Sequence, residues 1–99
     1  MKYYLLEAKR TNPHEEIQKS VYEDQQRYFD KGGVLFTSPL FTDPPSQTGV
    51  TIVRVESREA LDKLLAEEPF IQHKVLEYTR LTEINPPHCH ESVKSWFGL

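Results

Sequence analysis

Chain breakers divide this sequence into pieces that each hold one element, and this punctuation limits the possible folds more than any other feature. The breaks fall at Gly32-Gly33, Ser38-Pro39, Asp43-Pro44-Pro45-Ser46-Gln47-Thr48-Gly49, Pro69 and Asn85-Pro86-Pro87. Glycine admits left-handed backbone and proline removes a donor, so neither a helix nor a ladder runs easily through such a point. Residues 2 to 10, Lys-Tyr-Tyr-Leu-Leu-Glu-Ala-Lys-Arg, are aromatic, apolar and short, which suits a first strand. Asn12-Pro13-His14-Glu15 predicts a helix start, with Asn12 capping, Pro13 in the first turn and Glu15 as a capping-box carboxylate. That helix is expected to run to Lys31 and stop at Gly32-Gly33. Its stripe is Ile17, Val21 and Tyr28, with Asp24 and Gln25 interrupting the apolar face.

Val34-Leu35-Phe36-Thr37 reads as a short strand ended by Ser38-Pro39. Val50 to Glu56 alternates as a third strand. Ser57 is the expected cap of a second helix reaching Glu68, with Ala60, Leu61, Leu64 and Leu65 on one face and Pro69 closing it. Val75 to Ile84 makes the fourth strand. The order βαββαβ predicts an α+β, ferredoxin-like domain over residues 1 to 85, a four-stranded antiparallel sheet with two helices on one face, followed by a C-terminal tail, 86 to 99. Two helices cover one face of such a sheet, so the other face predicts a second copy of the chain. The tail's Trp96, Phe97 and Leu99 either reach across to that copy or fold back on their own domain.

Ninety-nine residues suit one core. A net charge of −3 with both signs interspersed offers no basic stripe for phosphates, which argues against nucleic acid as a partner. No apolar run reaches the roughly 18 to 20 residues of a membrane span, and the polar N-terminus does not resemble a secretory signal. With a single cysteine, Cys89, no internal disulfide forms, and the expected compartment is the cytoplasm.

The stretch from Gly32 to Ile84 resembles the YciI-like (YCII-related) family of dimeric α+β barrel proteins. The similarity is carried by Gly-Gly-Val-Leu-Phe-Thr-Ser-Pro (32 to 39), Val-Glu-Ser-Arg-Glu-Ala-Leu (55 to 61) and Glu-Glu-Pro-Phe (67 to 70). The resemblance implies a homodimer with a pocket between sheet and helices. It also implies relatives that include a dehydrochlorinase of a chlorinated hydroxyhydroquinone and, more distantly, muconolactone isomerases. Two positions depart from the family pattern. Its first-helix histidine falls on Val21, and its aspartate before proline is Glu68.

Topology alone gathers polar residues at one edge of a βαββαβ sheet. The first strand ends there, the first helix begins, the second strand ends, the second helix ends and the fourth strand begins. Arg10, His14, Ser38, Glu68 and His73 are therefore expected to converge. His14 beside Glu68 would form an acid–base pair, because a carboxylate fixes an imidazole tautomer and stabilises its cation. Asp24, if it sits on the inward stripe, would be a carboxylate of raised pKa and a second candidate base. Arg10 offers a fork for an anionic substrate oxygen, and Ser38 and His73 are further substrate contacts. The surface alternatives are plain: His14 solvated in a first turn, Glu68 a helix-end charge, Arg10 paired with Glu15 or Glu68.

His88-Cys89-His90 follows two prolines and lacks the rigid frame and ligand number that zinc requires, so no metal is expected. Phosphate loops, paired Cys-x-x-Cys and nucleophile elbows are absent from the sequence, and no cofactor is expected. With these polar residues at one edge, the resemblance implies a small enzyme that moves a proton on, or eliminates from, a hydroxylated cyclic small molecule. The alternative is a non-catalytic homodimer that binds a small ligand or a protein.

Overall fold

The computed structural model describes residues 1–13, 15–30, 33–39, 47–84 and 91–97. Its elements are β1 (Lys2–Arg10), α1 (Lys19–Phe29), β2 (Val34–Pro39), β3 (Thr48–Val55), α2 (Arg58–Ala66), α3 (Pro69–Gln72), β4 (Leu76–Ile84) and α4 (Glu91–Phe97). The four strands form one antiparallel sheet in the order β2-β3-β1-β4. This is the ferredoxin-like α+β arrangement expected from the sequence. The strands with the densest apolar alternation, β1 and β3, lie in the middle, where both edges find partners.

Alternation along β1 turns Tyr4, Leu6 and Ala8 to one face, and all three are buried. Their rungs on β3 are Val53, Thr51 and Gly49. Helix α2 closes over this face: Leu61, fully buried, joins Tyr4, Leu6, Val53 and Val55, with Ala60, Leu64 and Leu65 packed beside them. Ser57 caps α2 as expected, its hydroxyl accepting from the Ala60 N–H at 3.1 Å. The opposite face carries Tyr3, Leu5, Ile52 and Ile84 by register. It also carries Phe36, opposite Ile52 and 46% exposed.

Two bulges decide which side chains look inward. Between β1 and β4 the register slips after Glu7, so Ala8 faces Tyr78 instead of Thr79. Between β2 and β3 it slips around Leu35, so Thr37 stands opposite Thr51 and Ser38 opposite Val50. One extra residue reverses the alternation of everything beyond it.

Three boundaries differ from expectation. Helix α1 begins at Lys19, with Gln18 as its cap, and not at Asn12-Pro13. The Arg10 guanidinium donates to the carbonyls of Asn12, at 3.4 Å, and Glu15, at 2.8 Å, while the Glu15 N–H closes a turn on Asn12. Carbonyls engaged in this way are not free for a first helical turn, and Glu15 is an exposed turn residue rather than a capping-box acid. Helix α2 ends at Ala66, short of Glu68, because the residue before a proline is pushed off the helical region; Glu68 has φ −69 and ψ 123. Pro69 does not simply close α2. It opens α3 in the first turn, where its missing N–H costs nothing. The predicted tail contains a short helix, α4. The side chains of Trp96 and Phe97, and the whole of Leu99, lie outside the described residues.

No described helix is long and apolar enough to cross a membrane.

Candidate functional site

The extended conformation that proline imposes on Glu68 is also what delivers its side chain to the interior. Glu68 is 2% exposed, the least exposed of the residues lining a cleft of about 630 Å³ between the sheet's inner face and α1. Ala8, Thr37, Thr51 and Tyr78 contribute from the strands, Tyr22, Gln25 and Phe29 from α1, and Phe70 from α3. The lining is mostly apolar and aromatic. Tyr22 and Phe70 face each other across 6.4 Å at a 45° tilt.

The polar end of the cleft is one connected network. Glu68 Oε1 accepts from the Tyr78 hydroxyl at 2.7 Å and from Gln25 Nε2 at 3.2 Å. The Phe70 N–H donates to Gln25 Oε1 at 3.0 Å. Glu68 Oε2 is buried and has no hydrogen-bond partner among the described residues, and none of the described ion pairs includes Glu68. Removal from water therefore dominates: burial raises the Glu68 pKa above 4.5, and the Tyr78 and Gln25 hydrogen bonds only partly counter it. The same burial, together with the Glu68 charge, pushes the Tyr78 phenol up. On the same buried stripe of α1 as Gln25, the Tyr28 hydroxyl donates to the Leu64 carbonyl at 2.8 Å. A carboxyl in this setting accepts a proton readily from an acidic O–H or C–H and returns it readily to an oxygen.

Of the residues expected at this edge, the structure brings Glu68, Arg10 and Ser38 to the cleft. Arg10 lies between it and a smaller depression of about 200 Å³. Its Nη2 donates to the Asn12–Glu15 turn, while Nε is buried and has no hydrogen-bond partner among the described residues. Ser38 lines the cleft, but its rung opposite Val50 gives the inward direction to Thr37, whose hydroxyl lies 3.0 Å from that of Thr51. His73 caps α3, exposed, and lines the smaller depression, not the cleft. Asp24 is not on the inward stripe; it pairs with Arg27 on the outer side of α1 with its side chain 48% exposed. His14 lies outside the described residues, as do His88, Cys89 and His90. Among the described residues no group of three or more His, Cys, Asp or Glu side chains comes together.

Gln25 and Tyr78 are the participants that sequence reasoning missed. Gln25 carried a signal, a polar residue at helical spacing from Val21 and Tyr28 and buried with them. Tyr78 carried none, since strict alternation from Leu81 would have turned it away.

No family model matches this chain, and no curated protein does. Among solved structures it is similar to the 5-chloro-2-hydroxyhydroquinone dehydrochlorinase TftG from Burkholderia phenoliruptrix AC1100, in complex with 2,5-dihydroxybenzoquinone. The TM-score is 0.60 at 13% identity, over 90% of this chain and 96% of that one. It is also similar to the structural-genomics protein YJCS, with a TM-score of 0.53 at 13% identity over 87% of this chain and 98% of that one. At such identity the likeness speaks for the fold: the chain shares its ferredoxin-like α+β architecture with these two proteins.

Proposed function

We propose that this chain is a cofactor-independent enzyme of the YciI-like kind, working as a homodimer on a hydroxylated cyclic or aromatic small molecule. The reaction is proton transfer or elimination, such as dehydrochlorination or isomerisation. The observation that carries this reading is Glu68: a buried carboxyl with one oxygen unpartnered, in an aromatic-walled cleft. An aromatic wall suits a planar ring, through offset or edge contacts. Glu68 then takes a proton from ring carbon or hydroxyl; in an elimination the C–Cl bond breaks and chloride leaves with its electron pair. TftG, a dehydrochlorinase in complex with 2,5-dihydroxybenzoquinone, supports the substrate class. Arg10 and Ser38 remain candidates for contact at the cleft's rim, and His14 for the vicinity of Glu68.

A second reading, a ligand-binding homodimer without catalysis, is favoured by one feature. Glu68's side-chain partners are Tyr78 and Gln25, and neither supplies an imidazole base. Soaking crystals with 2,5-dihydroxybenzoquinone tests what both readings share. The ring is expected in the cleft against the Tyr22–Phe70 wall with an oxygen in hydrogen-bond reach of the Glu68 carboxyl. A ring bound elsewhere, or none at saturating concentration, removes the cleft as the site.

A further inference from the structure

Gln25 is 3% exposed, with both ends of its amide engaged. The Phe70 N–H can only donate, so it must meet the amide oxygen, and the amide NH₂ is thereby turned toward Glu68. Tyr78 delivers its hydroxyl to the same carboxyl oxygen. Both donors fall on Oε1, while Oε2 is buried and takes no hydrogen bond from the described residues.

We propose that Gln25 is a positioning residue, its amide orientation locked by the Phe70 backbone, which dedicates Glu68 Oε2 to a single oxygen of the ligand. The proposal rests on the reading of the cleft as a small-molecule site and adds a specificity rule to it. With Oε1 doubly occupied, the carboxyl makes one contact: to a hydroxyl when ionised, or to a carbonyl or phenolate oxygen when protonated. A guanidinium or amidine, which needs both oxygens, is excluded.

Among the described residues the charged and titratable groups around Glu68 are few. Tyr28 comes from α1 and Tyr78 from β4. Glu67 precedes it at the end of α2, and Lys9 and Arg10 of β1 stand along the cleft. The lining residues of β2 and β3 are uncharged. Loss of the Gln25 donor therefore has no nearby replacement.

The test is a carbon-13 NMR titration of the Glu68 side-chain carboxyl in the intact protein, wild type against Gln25→Met. Met keeps the bulk of Gln and removes both hydrogen bonds. The variant's carboxyl should titrate about one pH unit higher, the effect of losing one hydrogen bond to a charged group. An unchanged titration overturns the proposal, because a merely space-filling glutamine would leave it unmoved. A second measurement needs no variant. In the wild type the Gln25 side-chain amide protons should shift with the same midpoint as the Glu68 carboxyl, and amide signals indifferent to that titration overturn the proposal equally. Neither readout requires turnover, so a shifted titration in a protein that processes no ring compound retains the role of Gln25 and rejects the enzymatic reading alone.

Discussion

At the scale of the residue, the fold determines the charge of Glu68. A carboxyl this buried, in no ion pair among the described residues, favours its neutral form. Because its folded pKa is raised, the associated stability is fully present below the ordinary value of 4.5 and is lost as pH rises through the raised value. Glu68→Gln has no proton to lose. Across the window from 4.5 up to the folded pKa, wild type should lose about 1.4 kcal/mol per pH unit relative to the variant. Above the folded pKa the difference should be constant. Urea denaturation of both proteins at several pH values from acid to mildly alkaline measures it. A difference that does not change with pH would mean that Glu68 is as solvated in the fold as in the unfolded chain. Glu68 was legible in the sequence from the order of elements, which brings the end of the second helix to the same sheet edge as Arg10 and Ser38, and from the resemblance at Glu-Glu-Pro-Phe; its extended backbone before Pro69 was not anticipated. The charge pairing of Asp24 with Arg27 was not, because one residue's difference in helix rotation separates an inward carboxylate from an outward one.

At the scale of the element, the order of strands and helices was readable because glycine, proline or a capping serine marks most junctions. The departures arose where a side chain or a slip in register overrode local preference. Arg10, from the end of β1, takes the carbonyls that the expected helix at Pro13 would have used. The bulge at Leu35 turns Thr37 inward where alternation from Val34 would have turned Ser38, and the bulge at Glu7 does the same for Tyr78. No period-two pattern contains an extra residue before it is seen. One element end carries visible strain. Helix α3 stops in a motif where the Val75 N–H bonds the Phe70 carbonyl at 2.8 Å, and Lys74 holds the left-handed position with φ 57. Glycine is the usual occupant there, since a Cβ crowds the following carbonyl by roughly 1 to 2 kcal/mol. Lys74→Gly should therefore stabilise the protein by about 0.5 to 1 kcal/mol once the greater freedom of glycine in the unfolded chain is subtracted. Thermal unfolding that shows a loss instead would mean that the lysine side chain makes a compensating contact.

At the scale of the whole molecule, the sheet has one face packed and one face of mixed character. Leu5, Ile52, Ile84 and the half-exposed Phe36 form its apolar part, beside Tyr3, which is already buried in the single chain. The pairs Glu7–Arg80 and Lys9–Glu77 stand beside it. An apolar patch rimmed by charge is the usual make-up of an association surface, and the proposed homodimer places it between sheets. Sedimentation equilibrium at micromolar concentration should give twice 11.6 kDa, and Phe36→Glu should shift the population toward monomer. A wild-type protein that sediments only at 11.6 kDa would remove the dimer without touching the cleft.

The chemistry of the cleft is tested most directly by chloride release from 5-chloro-2-hydroxyhydroquinone, with wild type and Glu68→Gln compared at equal folded concentration. Wild type should release chloride well above the rate in buffer, and the variant should be slower by about 10² or more, as when a positioned acid or base is lost. Equal rates in the two proteins, or a wild-type rate no faster than buffer, would contradict the assignment of Glu68 as the group that moves the proton.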